Sequence, residues 1–319
     1  MNVSGMQYRR IGNSGLEVSA ISIGGWLTFG GSIDEGSTSS ILAAAVDAGV
    51  NFIDLADAYA KGAAEEAAGR ALGHVPRHSL VVSSKCFWPQ SDAPNDHGLS
   101  RKHIIESCER SLGRLQMDYL DLFFCHREDP SVPLEETIRA MDHLVQQGKI
   151  LYWGTSCWSA ETLQRAHALC REHGWYAPIV EQPQYNLLNR EIESDVCSAV
   201  KSSGMGLVCW SPLAGGLLTG KYDEGVPEGT RGAETKWLNE HFNEKGRERL
   251  RAFSALAEKA NLKPSQLALA WVLHQESVAA VITGATRVEQ LQENLGALGA
   301  SLNPEILVSL EELFPRTGA

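Results

Sequence analysis

Eight short apolar segments, each followed by a segment of helical length, recur along this chain of 319 residues. The first pair is AISIGG with STSSILAAAVDAG, and the last is VAAVITGAT with RVEQLQENLGAL. The segments are continuously apolar rather than alternating, which is typical of parallel strands covered on both faces. Eight such units in one chain predict an α/β protein with a (β/α)8 TIM barrel.

Two further segments lie outside this repeat. QYRRIG and LEVS flank the turn signal Asn13-Ser14-Gly15 and predict an N-terminal β-hairpin, while NPEILVSLEELF predicts an extra C-terminal helix. A barrel needs roughly 250 residues plus insertions, so we expect a single domain over 1–319. A doubly wound open sheet is the alternative, but no GxGxxG motif opens a helix here.

Composition narrows the function classes. The formal net charge of −11 argues against nucleic-acid binding, which needs a basic face. No apolar run reaches the roughly 18 residues of a membrane span, and the start MNVSGMQYRR lacks a signal-peptide core. Seven cysteines without a CxxC pair indicate reduced thiols. We therefore expect a cytoplasmic protein without membrane insertion.

Polar and aromatic residues follow the predicted strands. The active site of a (β/α)8 barrel lies at the carboxyl ends of its strands. In strand order the residues expected there are Gly25-Trp26, Asp54 with Tyr59, Lys85, His126, Thr155-Ser156, Gln182, Trp210-Ser211, and Gly284 with Thr286.

Four of these residues form a coherent chemical set, although each alone could be an ordinary cap, packed ring, surface charge or satisfied polar group. A tyrosine has an unperturbed pKa near 10, and the ammonium of Lys85 would pull the pKa of Tyr59 toward the working pH and make it a general acid. Asp54 can hold Lys85, and His126 can orient a substrate oxygen. The set lacks an obvious nucleophile, so the attacking group would be a cofactor hydride.

Several long motifs, in order, carry a family resemblance. They are NFIDLADAYAKG, VVSSK, LDLFFCH, YWGTS, EQPQYNLL, CWSPLAGGLLTGKY and ITGATRVEQLQENLGAL. Over essentially its whole length the chain resembles aldo-keto reductases, and GLSRKHIIESCERSLGRLQMDYLDL is similar to the branch of potassium-channel β-subunits and their bacterial relatives. The resemblance implies NADPH-dependent reduction of aldehydes or ketones, with the family's catalytic tetrad on Asp54, Tyr59, Lys85 and His126.

The resemblance also implies a set of residues that bind NADPH/NADP+. Trp210 would stack on the nicotinamide, Ser156 and Gln182 would bind its amide, and residues 214–245 would form an insertion that covers the cofactor. Lys221 and Arg231 would supply cations. The remaining expected contacts are Gly25, Trp26, Asp54, Ser211, Pro212, Leu213, Gly215, Gly284, Thr286, Arg287, Gln290, Glu293 and Asn294.

Aromatic residues near the predicted tips suggest an apolar or aromatic carbonyl substrate. The expected pocket consists of Trp26, Tyr59, Phe87, Trp88 and His126. The chain departs from the family pattern at Cys157, where Asn or Arg is common. The channel β-subunits carry a different polar residue at the position of His126, which favours a working reductase.

Rival interpretations remain open. One is an NADPH-binding, redox-sensing or channel-type regulatory subunit with little turnover, because a fold does not fix a function. Another is a Schiff-base aldolase with Lys85 as nucleophile.

We expect no metal site at CHRED, since Cys125 and His126 should face opposite ways along a strand. We also expect Cys86 and Cys157 to be buried, and a homo-oligomer is possible on the family resemblance.

Overall fold

The computed structural model describes residues 5–228, 230–234 and 236–316. Within these residues the strands have the bounds β1 Tyr8–Arg10, β2 Glu17–Ser19, β3 Ile21–Gly24, β4 Phe52–Asp54, β5 Val81–Cys86, β6 Leu120–Cys125, β7 Ile150–Thr155, β8 Val180–Glu181, β9 Gly206–Cys209 and β10 Val278–Thr283.

Strands β3 to β10 form a closed parallel barrel in the order β10-β3-β4-β5-β6-β7-β8-β9. Strands β3, β5 and β6 are buried at every position, as expected of strands packed between a barrel interior and an outer helical layer. The (β/α)8 barrel predicted from the sequence is therefore confirmed.

The predicted N-terminal hairpin is also confirmed. β1 pairs antiparallel with β2, with Tyr8 opposite Ser19 and Arg10 opposite Glu17. Ile11 and Val18 are fully buried in an interior cluster that contains residues of barrel strands. Arg9 donates to the carbonyl of Val278, the first residue of β10. The hairpin therefore closes the amino-terminal end of the barrel and leaves the carboxyl end for a site.

The helices surround the barrel. Their bounds in the described residues are α1 Glu35–Asp47, α2 Ala63–Leu72, α3 Arg101–Leu115, α4 Leu134–Gln146, α5 Ala160–His173, α6 Val196–Ser203, α7 Arg231–Glu234, α8 Glu244–Lys259, α9 Pro264–Leu273, α10 Val288–Leu295 and α11 Pro304–Leu313. The last of these is the predicted C-terminal helix. No helix among the described residues is long and apolar enough to cross a membrane.

Local sequence explains where these helices begin and end. In α3 the hydroxyl of Ser100 accepts a hydrogen bond from the N–H of His103, which satisfies one free backbone donor at the helix start. The apolar face of α3, including Ile104 and Cys108, is buried against the core. Pro264, which interrupts the helical pattern in the sequence, is the first residue of α9.

The segment after β9 contains two short 3-10 helices, Ala214–Thr219 and Lys236–Phe242, on either side of α7. Tyr222 anchors it, because its ring is fully buried and lies 5.2 Å from the ring centroid of Phe242. The Tyr222 hydroxyl accepts a hydrogen bond from the N–H of Gly232 at 2.9 Å. This packing fixes the segment beside the carboxyl end of β9.

Candidate active site

The four residues predicted to do chemistry come from neighbouring barrel strands. Asp54 is the last residue of β4, and His126 directly follows β6. Tyr59 is the first residue of a short 3-10 turn, Tyr59–Gly62, that directly precedes α2. Lys85 lies inside β5 rather than after it, which corrects the predicted position by one residue. The parallel strands bring the ends of β4, β5 and β6 side by side.

Lys85 is at the centre of the site and is completely buried, so a solvated surface charge is the wrong interpretation. Its Nζ donates to Asp54 Oδ2 at 2.6 Å, to the carbonyl oxygen of Leu55 at 2.7 Å and to the hydroxyl oxygen of Tyr59 at 3.1 Å. An ammonium has three N–H donors, and each has an acceptor here. Burial lowers the pKa of Lys85, but Asp54 and Tyr59 outweigh it and the pKa is raised. Lys85 is therefore held as a cation.

Asp54 is held in turn by two further donors. Its Oδ1 accepts from the hydroxyl of Ser83 at 2.8 Å and from the side-chain amide of Gln182 at 2.9 Å, while Oδ2 faces Lys85. Three donors on one buried carboxylate fix its orientation.

Tyr59 accepts a hydrogen bond from Lys85, and its own O–H proton has no acceptor among the described residues. Its ring is edge-on to that of His126, with centroids 5.9 Å apart. Burial raises the pKa of Tyr59, and the charge of Lys85 opposes that rise without cancelling it. The predicted net lowering is therefore wrong for this site, because removing water from the phenol outweighs the nearby ammonium. The phenol holds its proton.

His126 is buried, and its Nδ1 atom has no hydrogen-bond partner among the described residues. Burial, followed by the charges of Lys85 and Arg127, lowers the pKa of His126 well below its ordinary value. The imidazole is therefore neutral, and can donate one hydrogen bond without adding a second charge beside Lys85.

Aromatic side chains border this set on one side. The ring of Trp88 is edge-on to His126 at 6.2 Å between centroids and edge-on to Phe87 at 5.1 Å. Trp88 and Trp26 each expose 40% of their surface. The structure thus places Trp88 next to His126 and Phe87 against Trp88, and Trp26 lies exposed after the end of β3.

The residues expected near a nicotinamide form one hydrogen-bonded chain. Ser156 donates to the carbonyl oxygen of Gln182 at 2.8 Å, and the amide of Gln182 donates to Asp54. The N–H of Gly25 donates to the carbonyl oxygen of Asp54 at 3.0 Å. Trp210 is half-buried directly after β9. Hydrogen bonds therefore connect Gly25, Asp54, Ser156 and Gln182. Trp210 lies directly after β9, the strand that pairs with β8.

The backbone after Trp210 folds into a tight turn. Ser211, Ala214 and Gly215 adopt left-handed conformations with φ of 51°, 49° and 66°. The amide of Asn186 donates to the carbonyl oxygen of Ser211 at 3.0 Å and fixes its start. Left-handed residues can turn nearby N–H groups toward one anion. Pro212 has no N–H and that of Ala214 donates to the carbonyl oxygen of Ser211, so the groups this turn can offer are those of Leu213 and Gly215.

One predicted cation lies at this turn. A Cβ added to Gly216 would be 2.6 Å from Lys221 Nζ, so the ammonium sits directly against the glycine turn. This arrangement fits a bound pyrophosphate. The other predicted cation, Arg231, opens α7, and its side chain lies outside the described part of the structure.

The predicted adenosine-phosphate residues lie around the start of α10. The side-chain oxygen of Gln290 accepts from the backbone N–H of Thr286 at 2.8 Å and from its hydroxyl at 3.0 Å. The N–H of Thr286, expected to be free, is therefore already capped by Gln290. Arg287 is exposed beside this cap, and Gly284 is open, with no atom within 4 Å of an added Cβ.

The last two predicted contacts differ in their surroundings. Glu293 pairs with Lys263 at 2.7 Å and accepts from Ser265 at 2.7 Å, so its carboxylate faces α9. Asn294 is buried. Glu293 can therefore help position the start of α9, whereas its direct contact with a ligand stays a prediction.

Sequence reasoning missed three groups of the site. Ser83 was detectable, because it lies two residues before Lys85 on the same strand and so on the same face. The carbonyl of Leu55 carried no signal, since any residue supplies one. Arg127 follows His126 directly; its charge opposes the rise in the pKa of Tyr59 and adds to the lowering of the pKa of His126.

The cysteine predictions met different outcomes. Cys86 is buried, as expected. Cys157 is exposed, contrary to expectation; it lies two residues after the end of β7, with a left-handed φ of 56°. Cys125 is buried in the apolar core, whereas His126 faces Tyr59. Among the described residues, no group of three or more His, Cys, Asp or Glu side chains could hold a metal ion.

Comparison with known proteins identifies similar sequences over the same length. The model of the aldo/keto reductase family matches residues 20–314. A protein of Arabidopsis thaliana is 43% identical over 318 residues, covering 97% of each chain. One of Oryza sativa subsp. japonica is 44% identical over 315 residues, covering 96% of each. Both bear the name "Probable voltage-gated potassium channel subunit beta".

Proposed function

Because this chain belongs to the aldo/keto reductase family, we propose that it reduces aldehydes or ketones to alcohols with NADPH, with Tyr59 as the proton donor. Membership supports oxidoreductase activity in general, and members of the family bind NAD(P)H. We infer three points beyond family membership: the cofactor is NADPH, the substrate is an aldehyde or ketone, and Tyr59 donates the proton.

The observation that carries the proposal is the hydrogen-bond pattern at Lys85. Its ammonium donates to the Tyr59 oxygen, so the lone pair that would otherwise accept from substrate is occupied and the Tyr59 proton is left to be donated. As that proton leaves, the phenolate forms 3.1 Å from a fixed cation. Lys85 thus stabilises charge that develops only during the reaction, which is where stabilisation accelerates a step.

The other members of the set prepare the site for that transfer. Asp54 keeps Lys85 charged, and neutral His126 can donate to the same carbonyl oxygen and align it with Tyr59. Phe87 and Trp88 supply an apolar wall that excludes water from one side of the substrate.

NADPH would supply the hydride when bound. We assign its nicotinamide to Ser156, Gln182 and Trp210, and its pyrophosphate to the turn from Ser211 to Gly215 with Lys221. The supporting features are the hydrogen-bonded chain through Gln182, the left-handed turn and the ammonium against Gly216. Arg287 would bind the 2′-phosphate, and Thr286 would do so by giving up its hydrogen bonds to Gln290.

A Schiff-base aldolase is disfavoured by the same geometry. An amine attacks a carbonyl only when it is deprotonated. The raised pKa of Lys85 and its three acceptors oppose deprotonation and leave the amine no freedom to approach a substrate.

A regulatory subunit is the second candidate function. It is favoured by the names of the two plant relatives, which describe a channel subunit rather than an enzyme. The intact set of Asp54, Tyr59, Lys85 and His126 favours turnover instead.

The test is NADPH oxidation, followed by absorbance, with a panel of aldehydes, ketones and sugars. Turnover of at least one class of carbonyl compound supports the reductase. Tight NADPH binding with no turnover across the panel contradicts it and supports the regulatory subunit.

A further inference from the structure

Arg127 is a half-buried cation at the entrance to the site described above. Its Cζ lies 5.5 Å from the ring centroid of Trp88, the residue that also contacts His126. Its Nη1 donates to the carbonyl oxygen of His126 and lies 3.5 Å from the hydroxyl of Ser156. The guanidinium therefore lies between the aromatic wall and the residues assigned to the nicotinamide.

The charge of Arg127 acts on the reacting groups. It opposes the rise that burial causes in the pKa of Tyr59, and it adds to the lowering of the pKa of His126 by burial and by Lys85. A cation so placed raises the affinity of the site for negative charge.

No carboxylate among the described residues lies within ion-pair distance of Arg127, although the chain carries a net charge of −11. The buried carboxylate of Glu181 does interact with the charge of Arg127, but its hydrogen bonds are accepted from the hydroxyl of Thr155 and the N–H of Trp158.

The two acidic residues that follow Arg127 are committed elsewhere. Glu128 accepts from the N–H of Ser159 and the hydroxyl of Thr162. Asp129 accepts from the N–H of Leu99 and from Ser131.

Arg127 also has unused donors. Both of its hydrogen bonds start from Nη1, so Nη2 and Nε have no acceptor in the part of the chain described. A guanidinium presents its donors as a planar fork that matches a carboxylate. Partial burial of an unpaired cation raises the free energy of the protein. An anion that binds Arg127 would lower that free energy by supplying the missing counter-charge.

We propose that Arg127 is a specificity-determining residue that selects carbonyl substrates bearing a carboxylate. This rests on the proposed reductase function and names its substrate class. The aldehyde or ketone end lies at Tyr59 and His126, the connecting carbons lie along Trp88, and the carboxylate binds the fork of Arg127.

The experiment compares short aldehydes that end in a carboxylate with the methyl ester of each. The ester keeps the reacting group and the length of the chain but removes the charge. The readout is the ratio of kcat/KM for acid over ester, which cancels any general effect on catalysis or on NADPH binding. The parent protein should prefer the acid by about 10-fold or more, the size of a charge-assisted hydrogen bond.

Three variants separate the contact from long-range charge. Arg127→Gln should lower the ratio by about 10-fold, and Arg127→Lys should keep part of the preference because it keeps the charge but lacks the fork. Arg139→Gln is the matched control, since Arg139 is exposed in α4 and its Cζ lies 6.0 Å from the ring centroid of Trp175. It removes the same charge and should leave the ratio unchanged.

Several results would overturn the proposal. A parent protein that reduces esters as well as acids refutes it without any variant. An unchanged ratio in Arg127→Gln, with weaker NADPH binding for every substrate, assigns Arg127 to the cofactor instead. If Arg139→Gln lowers the acid-to-ester ratio as much as Arg127→Gln does, the preference depends on net charge and not on contact with Arg127.

The anion site at Arg127 can be tested even if the protein does not reduce carbonyl compounds. If the parent reduces nothing, calorimetric titration of the NADP+-loaded protein with short-chain carboxylates still decides the role of Arg127. Binding that is lost in Arg127→Gln and kept in Arg139→Gln supports the anion site in a non-reducing protein. Equal binding by all three proteins contradicts it.

Discussion

Replacing Asp54 by asparagine should strongly destabilise the protein, because it leaves Lys85 buried without its counter-charge. Asp54 exposes 2% of its side chain and Lys85 none, and their charged atoms are 2.6 Å apart. Removing one partner of a buried ion pair costs about 3–5 kcal/mol. An asparagine also offers one acceptor oxygen where the carboxylate serves three donors, from Ser83, Lys85 and Gln182. We therefore expect the loss in unfolding free energy to reach that range.

The sign of the pH dependence follows from the raised pKa of Lys85. A group with a raised folded pKa stabilises the protein below its unfolded pKa, about 10.4 for lysine, and loses that contribution as pH rises through the folded value. The difference between parent and Asp54→Asn should thus be complete at neutral pH and shrink only in strong alkali.

The assay for this prediction is urea unfolding followed by tryptophan fluorescence at neutral pH. Glu276→Gln is the control, because it breaks an exposed pair with Lys201, with 83% and 66% of the two side chains accessible, and should cause no measurable change. An Asp54→Asn protein whose unfolding free energy lies within about 1 kcal/mol of the parent value would refute the paired-charge account.

Three further predictions concern the cofactor and a buried acid. Arg287→Ala should reduce the preference for NADPH over NADH in binding titrations; unchanged discrimination would remove Arg287 from the 2′-phosphate site. Trp210→Ala should weaken NADPH binding by about 1 kcal/mol and abolish part of the fluorescence quenching; equal affinity and quenching would place Trp210 outside the site. Burial raises the pKa of Asp57 from 3.8 to about 7, so stability should fall as pH rises through that interval. Asp57→Asn should flatten this fall in urea unfolding at about pH 5 and about pH 8, and an identical slope in both proteins would contradict the assignment.

Much of the fold could be predicted because its signals are periodic. Eight continuously apolar runs specify parallel strands buried on both faces, and Asn13-Ser14-Gly15 specifies the turn of the hairpin. A known barrel topology then places Asp54, Lys85 and His126 on one rim, since all parallel strands end at the same side. Neither step requires side-chain detail.

Other features depend on distances that a sequence does not contain. The pKa of Tyr59 is set by competition between burial and Lys85, and only the packed site shows that burial prevails. The exposure of Cys157 depends on the path of the loop after β7, which the sequence does not specify. The unpaired state of Arg127 becomes visible only when Glu128 and Asp129 are seen to bind other groups.

The most direct test of the account is carbonyl reduction by Tyr59→Phe, measured together with NADPH binding. Phenylalanine keeps the ring that packs edge-on against His126 and removes only the hydroxyl that accepts from Lys85. NADPH affinity should survive, whereas kcat/KM for aldehydes should fall by about 10²–10⁴-fold, the usual contribution of a general acid. A Tyr59→Phe protein that binds NADPH and reduces aldehydes at nearly the parent rate would contradict it.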